Sequence, residues 1–200
     1  MHGFVGRQPE LATLRARLAA ARAGAPQVVE IQGPPGIGKT ALVTAFLDEP
    51  GGDVPPLVLR AGGEETENLL AYGVLDQLAR SAGPIGAGVV VPGDPAGGVL
   101  TDAVAVGSRL LELLGALEAT APVVMVIDDV HWVDQPSLKA LVFALRRLVA
   151  DPILVLLTVR EVAEVLLVEP AQPEDAVPRA GHDPPQALRQ VRGVGLADGQ

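Results

Sequence analysis

The feature that most constrains the fold is the octapeptide GPPGIGKT at residues 33–40. It follows the apolar run 27–32 and precedes the helical pattern KTALVTAFL, so a strand enters it and a helix leaves it. Gly33, Gly36 and Gly38 permit backbone angles and close approaches that a side chain would block, so successive amide hydrogens can converge on phosphate oxygens. The spacing Gly-x-x-x-x-Gly-Lys-Thr in this context predicts a phosphate-binding P-loop.

Two side chains of this loop have predicted roles of their own. Lys39, one of only two lysines in the chain, is expected to reach the β- and γ-phosphates as a compact charge. Thr40 is expected to offer its hydroxyl to Mg²⁺, and the helix that begins here adds its positive end. The predicted nucleotide-binding residues of the loop are Gly33, Pro34, Pro35, Gly36, Ile37, Gly38, Lys39, Thr40 and Ala41.

A second motif is the apolar run 122–127, which ends in Asp128 and Asp129. We expect this strand to lie beside the P-loop strand, with both motifs at the carboxyl ends of adjacent strands. Asp128 can then hold Mg²⁺, usually through a water, together with Thr40. Asp129 is placed to orient or deprotonate an attacking water.

The residues that follow carry two interpretations each. His131 and Trp132 either lie over the nucleotide or fix the loop by burying apolar area. Asp134 precedes Gln-Pro-Ser at the start of a helical pattern, so a helix cap and a catalytic role are both open. Arg160 ends the run ILVLLTVR and either contacts the γ-phosphate or is a solvated arginine at a strand end.

The order of patterns along the chain predicts the fold class. Four short runs rich in Val, Ile and Leu, at 27–32, 56–61, 122–127 and 152–158, are typical of buried parallel strands. Helical patterns alternate with them, including Leu70, Val74, Leu75 and Leu78 in one segment. This alternation predicts an α/β P-loop NTPase fold in three layers, an open, mostly parallel sheet with helices on both faces. Residues 1–168 form the predicted domain, and residues 169–200, with five prolines, form a predicted irregular, disordered tail.

Composition excludes several function classes. A net charge of −9 repels the phosphate backbone of nucleic acids, so direct DNA binding is not expected. The absence of cysteine removes disulfides, thiolate metal sites and cysteine nucleophiles. No signal-peptide pattern and no stretch of eighteen apolar residues is present, so we expect a cytoplasmic protein without membrane contact.

The ordered series FVGRQPELATLRARL, GPPGIGKT, VVMVIDDVHWVDQPSLKAL and LLTVRE resembles the N-terminal ATPase module of STAND-type signalling ATPases within the AAA+ superfamily. The similarity is greatest to the large ATP-binding LuxR-family regulators of bacteria, and it covers residues 4–160. The resemblance implies ATP as the nucleotide, with Val5 and Arg7 near the adenine and Arg160 as the sensor of the terminal phosphate. It also implies a switch between ATP- and ADP-bound states that governs self-association or contacts with partner domains, with slow turnover.

The chain departs from that family after Arg160. The family continues with a helix, a fifth core strand, a helical lid and a winged-helix unit, whereas only residues 161–168 offer further regular structure here. We therefore expect a C-terminally truncated core without the lid. Two functions follow: a Mg-ATP-binding switch domain with slow hydrolysis, or a non-hydrolysing nucleotide-binding or protein-interaction fragment. A small-molecule kinase would use the same loop, but no substrate site is evident.

Overall fold

The computed structural model describes residues 7–49, 53–66, 69–88 and 102–160, together with the backbone of residues 191–195. Helices separate the first four strands of the chain, as the sequence predicts. In chain order they are α1 (Gln8–Arg22), β1 (Gln27–Gln32), α2 (Lys39–Leu47), β2 (Leu57–Gly62), α3 (Gly73–Ser81), α4 (Ala103–Glu118), β3 (Val123–Asp128), α5 (Gln135–Leu145), β4 (Ile153–Val159) and β5 (Val191–Gly195). The four predicted strands are confirmed to within one residue at each end.

The strands form one sheet in the order β2-β3-β4-β1-β5, and every neighbouring pair is parallel. The register aligns their carboxyl ends, because Gln32 lies opposite Val159 and Gly62 lies opposite Asp128. The segments that follow β1, β2, β3 and β4 therefore all begin at one edge of the sheet. This is the edge at which open α/β sheets bind their ligands.

Two apolar cores cover the two faces of the sheet. Val124 and Val126 of β3 join the core that contains α1 and α2, whereas Met125 and Ile127 join the core that contains α3, α4 and α5. Because both faces of β3 and β4 are covered, all seven residues of β4 are buried. The predicted three-layer α/β arrangement is confirmed.

The strand order corrects one expectation. β4 lies between β1 and β3, so the P-loop and the Asp128–Asp129 pair are not on adjacent strands. Neighbouring strands are about 4.8 Å apart, which separates β1 from β3 by about 10 Å. Local sequence patterns predict strands but not their order, which depends on how the connecting helices pack. The gap is filled by the carboxyl end of β4, with Thr158 and then Arg160.

The predicted irregular tail needs a second correction. Val191–Gly195 forms β5, a fifth strand parallel to β1 with one register shift between Val29 and Ile31. The prediction of irregular structure is wrong at these five residues, because the outer edge of β1 presents backbone N–H and C=O groups that a strand can pair. Residues 161–190 and 196–200 lie outside the described residues.

The start of α3 differs from the sequence pattern. Leu70 was expected on this helix, but α3 begins at Gly73 and Leu70 is 59% exposed. The reason is Tyr72, which has a φ of 64°, in the left-handed region that a right-handed helix cannot include. Leu75 and Leu78 are buried as predicted.

Candidate functional site

The loop between β1 and α2 owes its shape to two glycines. Gly36 has a φ of 78° and Gly38 a φ of 95°, angles that cost a residue with a Cβ roughly 1–2 kcal/mol. A Cβ at either position would meet no described heavy atom within 4 Å, so backbone angle rather than crowding requires glycine. Gly38 is also the N-cap of α2, and no described side chain caps this helix. Such a helix end suits an anion.

Lys39 lies inside this loop. Its side chain is buried, and its Nζ donates hydrogen bonds to the carbonyl oxygens of Gly33 at 2.8 Å and Pro34 at 3.2 Å. An ammonium group has three protons, so one remains for a phosphate oxygen. Thr40 and Ala41, in the first turn of α2, are exposed. The loop therefore holds its cation in place and leaves the helix end accessible.

Arg7 connects the segment before α1 to the same loop. Its Nη2 donates a hydrogen bond of 2.8 Å to the carbonyl oxygen of Ile37, and its Nη1 lies 3.8 Å from Glu10. The residue has a φ of 64° and is the N-cap of α1. Arg7 thus lies at the P-loop, and its place near the adenine stays a prediction. Val5, its predicted companion, lies outside the described residues.

Asp128 ends β3 with both carboxylate oxygens engaged. Thr158 on β4 donates a hydrogen bond of 3.2 Å from its Oγ1 to Oδ1, and Oδ2 lies 3.3 Å from Nη2 of Arg60 on β2. A carboxylate oxygen has about two lone-pair sites, so each retains one for a water or a cation. Arg60 is a counter-ion at this position that the sequence patterns did not reveal.

The loop after β3 is held from both neighbouring strands. Asp129 has a φ of 49°, and its backbone N–H donates to Oγ1 of Thr158 at 2.8 Å. On the other side, the N–H of Gly63 donates to the carbonyl oxygen of Asp128 at 2.9 Å. A Cβ at Gly63 would lie 2.6 Å from the carbonyl oxygen of Asp129 and 2.8 Å from the amide nitrogen of Val133. The backbone is thus tightly held, whereas the Asp129 side chain is 44% exposed.

His131, Trp132 and Arg160 lie together beside Asp129. The rings of His131 and Trp132 have centroids 5.2 Å apart, and the guanidinium carbon of Arg160 lies 6.0 Å from the Trp132 ring centroid, within cation–π range. Burial lowers the pKa of His131; Asp129 opposes the shift, and Arg160 and Lys39 add to it. Burial thus favours the neutral imidazole. Asp129 lies beside this partly buried ring, and the charges of Arg160 and Lys39 act on it.

The arrangement of a P-loop after β1, an acidic pair after β3 and an arginine after β4 agrees with comparison to known families. A sequence model of the AAA ATPase domain matches residues 3–156, more than half of the chain. The chain belongs to the AAA ATPase domain family. It is therefore an ATPase-type nucleotide-binding domain with the α/β P-loop NTPase fold. No curated protein sequence matches the chain.

Asp134 has a structural role in this AAA ATPase domain. It is 2% exposed, and its Oδ1 accepts hydrogen bonds of 2.8 Å from the amide nitrogens of Ser137 and Tyr72. Its Oδ2 accepts a longer bond of 3.4 Å from the amide of Val74. The capping interpretation is confirmed for α5, and the same carboxylate also holds the first turn of α3. The loop after β3 is thereby joined to two helices.

Three residues of the AAA ATPase site were missed at the sequence level. Thr158 carried a signal, because it is the one polar residue in the otherwise apolar strand β4. Gly63 carried a weaker one, as the second glycine of a pair at the end of β2. Arg60 carried none, since an arginine on a strand is usually a solvated side chain and only the packing of β2 against β3 brings it to Asp128.

Two features are absent from the described residues. No helix there is long and apolar enough to cross a membrane. No three His, Asp or Glu side chains within the described ranges form a group that could hold a metal ion. A divalent cation at this site would therefore need oxygen ligands from phosphate groups and water in addition to those of the protein.

Proposed function

We propose that this AAA ATPase domain binds Mg-ATP and acts as a regulatory switch that hydrolyses ATP slowly to ADP. One observation carries the proposal: Lys39, Asp128, Asp129 and Arg160 come from three different strand ends and lie at one edge of the sheet. Positive groups for phosphate, a carboxylate for a metal and a second carboxylate for water are the parts that phosphoryl transfer from a nucleotide requires.

Phosphate binding is supported by the P-loop geometry. No side chain among the described residues caps the N-terminus of α2, so this positive helix end is available to an anion. The buried ammonium of Lys39 adds a positive charge in the same loop. Gly33, Pro34, Pro35, Gly36, Ile37, Gly38, Thr40 and Ala41 complete the proposed contacts. Arg7 bonds to the backbone of this loop, so it is placed to position the loop or the nucleotide base.

A magnesium ion fits the residues that are present. Mg²⁺ prefers oxygen ligands and is usually bound through one or two protein groups plus phosphates and waters. Thr40 has an exposed hydroxyl and Asp128 a partly exposed carboxylate, and both supply such oxygens. Because Asp128 lies about two strand spacings from β1, its carboxylate suits contact with the ion through a water. When bound, the ion would neutralise charge on the phosphates.

Hydrolysis is supported by the second carboxylate. Asp129 has an exposed side chain on a backbone held by Thr158, which suits a group that orients a water. Arg160 is exposed at the end of β4 and lies near both Trp132 and His131, so its guanidinium is placed to contact the terminal phosphate.

The switch role rests on the resemblance to the ATPase module of STAND-type and LuxR-family regulators. In such a switch the bound nucleotide, ATP or ADP, governs self-association or contacts with partner domains. The net charge of −9 argues against direct contact of this chain with DNA. A cytoplasmic location accords with such a switch.

Thermal unfolding with and without Mg-ATP tests nucleotide binding. A ligand that binds only the folded state adds about 2.7 kcal/mol at one hundred times its Kd, which raises the Tm by roughly 5–10 °C for a chain of this size. Lys39→Ala should abolish the shift. Lys139→Ala is the matched control, because it removes the only other lysine, which is exposed on α5. No shift for the wild type at millimolar Mg-ATP would refute the proposal.

Phosphate release under multiple-turnover conditions tests hydrolysis separately. We expect slow release by the wild type and a strongly reduced rate for Asp129→Asn at equal Mg²⁺. Equal rates would refute the role of Asp129. Binding without any release would leave the domain as a non-hydrolysing nucleotide-binding module, the alternative that the sequence also allows.

A further inference from the structure

His131 is a partly buried residue whose two ring nitrogens are shielded from solvent and lack hydrogen-bond partners among the described residues. Its side chain is 13% exposed, and neither Nδ1 nor Nε2 has a hydrogen-bond partner among the described residues. A buried donor or acceptor without a partner costs about 1–3 kcal/mol, and most buried polar groups in native proteins avoid that cost. Among the described residues, the imidazole therefore has no partner that would offset this cost.

The position of the ring indicates what that partner is. Nδ1 lies 3.9 Å from Oδ1 of Asp129, which is too far for a direct hydrogen bond. Two polar atoms at this separation can share one bridging water. The charges of Lys39 and Arg160 also act on this ring, and both residues are proposed above to contact the phosphates.

We propose that His131 is a catalytic residue, and that its unprotonated Nδ1 and the Asp129 carboxylate together hold the water that attacks the terminal phosphate of ATP. This inference rests on the proposed function. It adds a second hydrogen-bond acceptor for the attacking water, because Asp129 alone would accept only one of the two hydrogens of that water. With both hydrogens accepted, a lone pair of the water oxygen remains directed away from the two side chains.

The reaction balances with these groups alone. The water oxygen forms a bond to the terminal phosphorus while the bond from that phosphorus to the bridging oxygen breaks, and the electron pair of the broken bond leaves on ADP. The proton that the water loses passes to the Asp129 carboxylate and then to solvent. His131 keeps its single proton on Nε2 throughout. The lowered pKa of His131 is consistent with this state.

The test separates catalysis from structure. His131→Phe keeps a ring of similar size but removes both nitrogens, and His131→Gln keeps an oxygen that can accept from water. For each variant we would measure the Kd for Mg-ATP by calorimetry, the single-turnover hydrolysis rate and the Tm. Arg80→Gln is the control, because Arg80 is exposed and its ion-pair partner among the described residues is Asp76 on the same helix.

We expect His131→Phe to lower the single-turnover rate by about a hundredfold, with Kd and Tm close to wild type, because the nitrogens make no bond to the described protein. His131→Gln should recover part of the rate. The inference would be overturned, and the proposed function left standing, if His131→Phe kept the wild-type rate. The same holds if ATP affinity and Tm fell in step with the rate. A wild type that binds no Mg-ATP would instead refute the proposed function, and a wild type that binds without hydrolysis would overturn the role of His131.

Discussion

Replacing Asp134 should show how strongly one carboxylate joins the loop after β3 to two helices. Its Oδ1 accepts two bonds of 2.8 Å, from Ser137 on α5 and from Tyr72 at the start of α3. Hydrogen bonds to a charged group contribute about 1.5–3 kcal/mol each, and Asp134→Ala leaves both amides buried without that partner. Counting only these two short bonds, we expect a loss of about 3–5 kcal/mol in the free energy of unfolding. This corresponds to a fall in Tm of roughly 10 °C.

Urea unfolding followed by circular dichroism measures this loss. Asp134→Asn keeps an oxygen in the place of Oδ1, so it should cost about 1 kcal/mol. Asp102→Ala is the matched control, because Asp102 is an exposed N-cap of α4 that accepts one bond, from Val104, and should cost about 1 kcal/mol. The reasoning fails if Asp134→Ala costs no more than Asp102→Ala, or if Asn and Ala at position 134 are equally destabilising.

Three further changes test other parts of the structure. Arg60→Gln frees Asp128 from an exposed ion pair, so the Mg²⁺ concentration that half-saturates ATP binding should fall about two- to fivefold; an unchanged Mg²⁺ dependence contradicts this. Gly63→Ala should destabilise the protein by about 1–3 kcal/mol in urea unfolding. Gly115→Ala on α4 is the control: its new Cβ meets no described atom within 4 Å, so it should stabilise the protein by about 0.5–1 kcal/mol. Changes of the same sign would count against close contacts of Gly63 with the loop after β3. Burial and a neighbouring carboxylate raise the pKa of Glu118 from 4.5. The folded protein therefore favours the protonated form, and the stabilisation this provides is complete below pH 4.5 and is lost as the pH rises through the raised pKa. Glu118→Gln should therefore raise the Tm at pH 7, with a gain that shrinks toward pH 4.5, and a gain independent of pH would argue against burial as the cause.

Much of the site was predictable because its parts are contiguous in sequence. The P-loop needs glycines, a lysine and a threonine at set spacings within eight residues, so its chemistry can be predicted before the fold is known. The Asp128–Asp129 pair was predictable for a similar reason, since an apolar strand that ends in carboxylates is a local pattern. The family resemblance predicts Arg7 near the adenine, whereas its hydrogen bond to the backbone of the P-loop is visible only in the structure.

What was not predictable depends on contacts between distant segments. The role of Asp134 could be stated only as two alternatives, because its bond to Tyr72 spans 62 positions along the chain. The bonds of Thr158 to Asp128 and Asp129 depend on β4 lying next to β3, which no local pattern specifies. Arg60 and Gly63 belong to β2 and the segment after it, whose place beside β3 no local pattern specifies.

By itself, then, the sequence determined the phosphate loop, the strands and helices and the acidic pair, since each follows from residue type and short-range spacing. Only the tertiary structure decided that β4 separates the P-loop from the acidic strand, that β5 pairs with β1, and that His131 lies beside Asp129 without a protein partner among the described residues. Strand order and side-chain surroundings depend on burial and on hydrogen bonds made across long stretches of chain. Those are satisfied collectively by the fold, so no single segment encodes them.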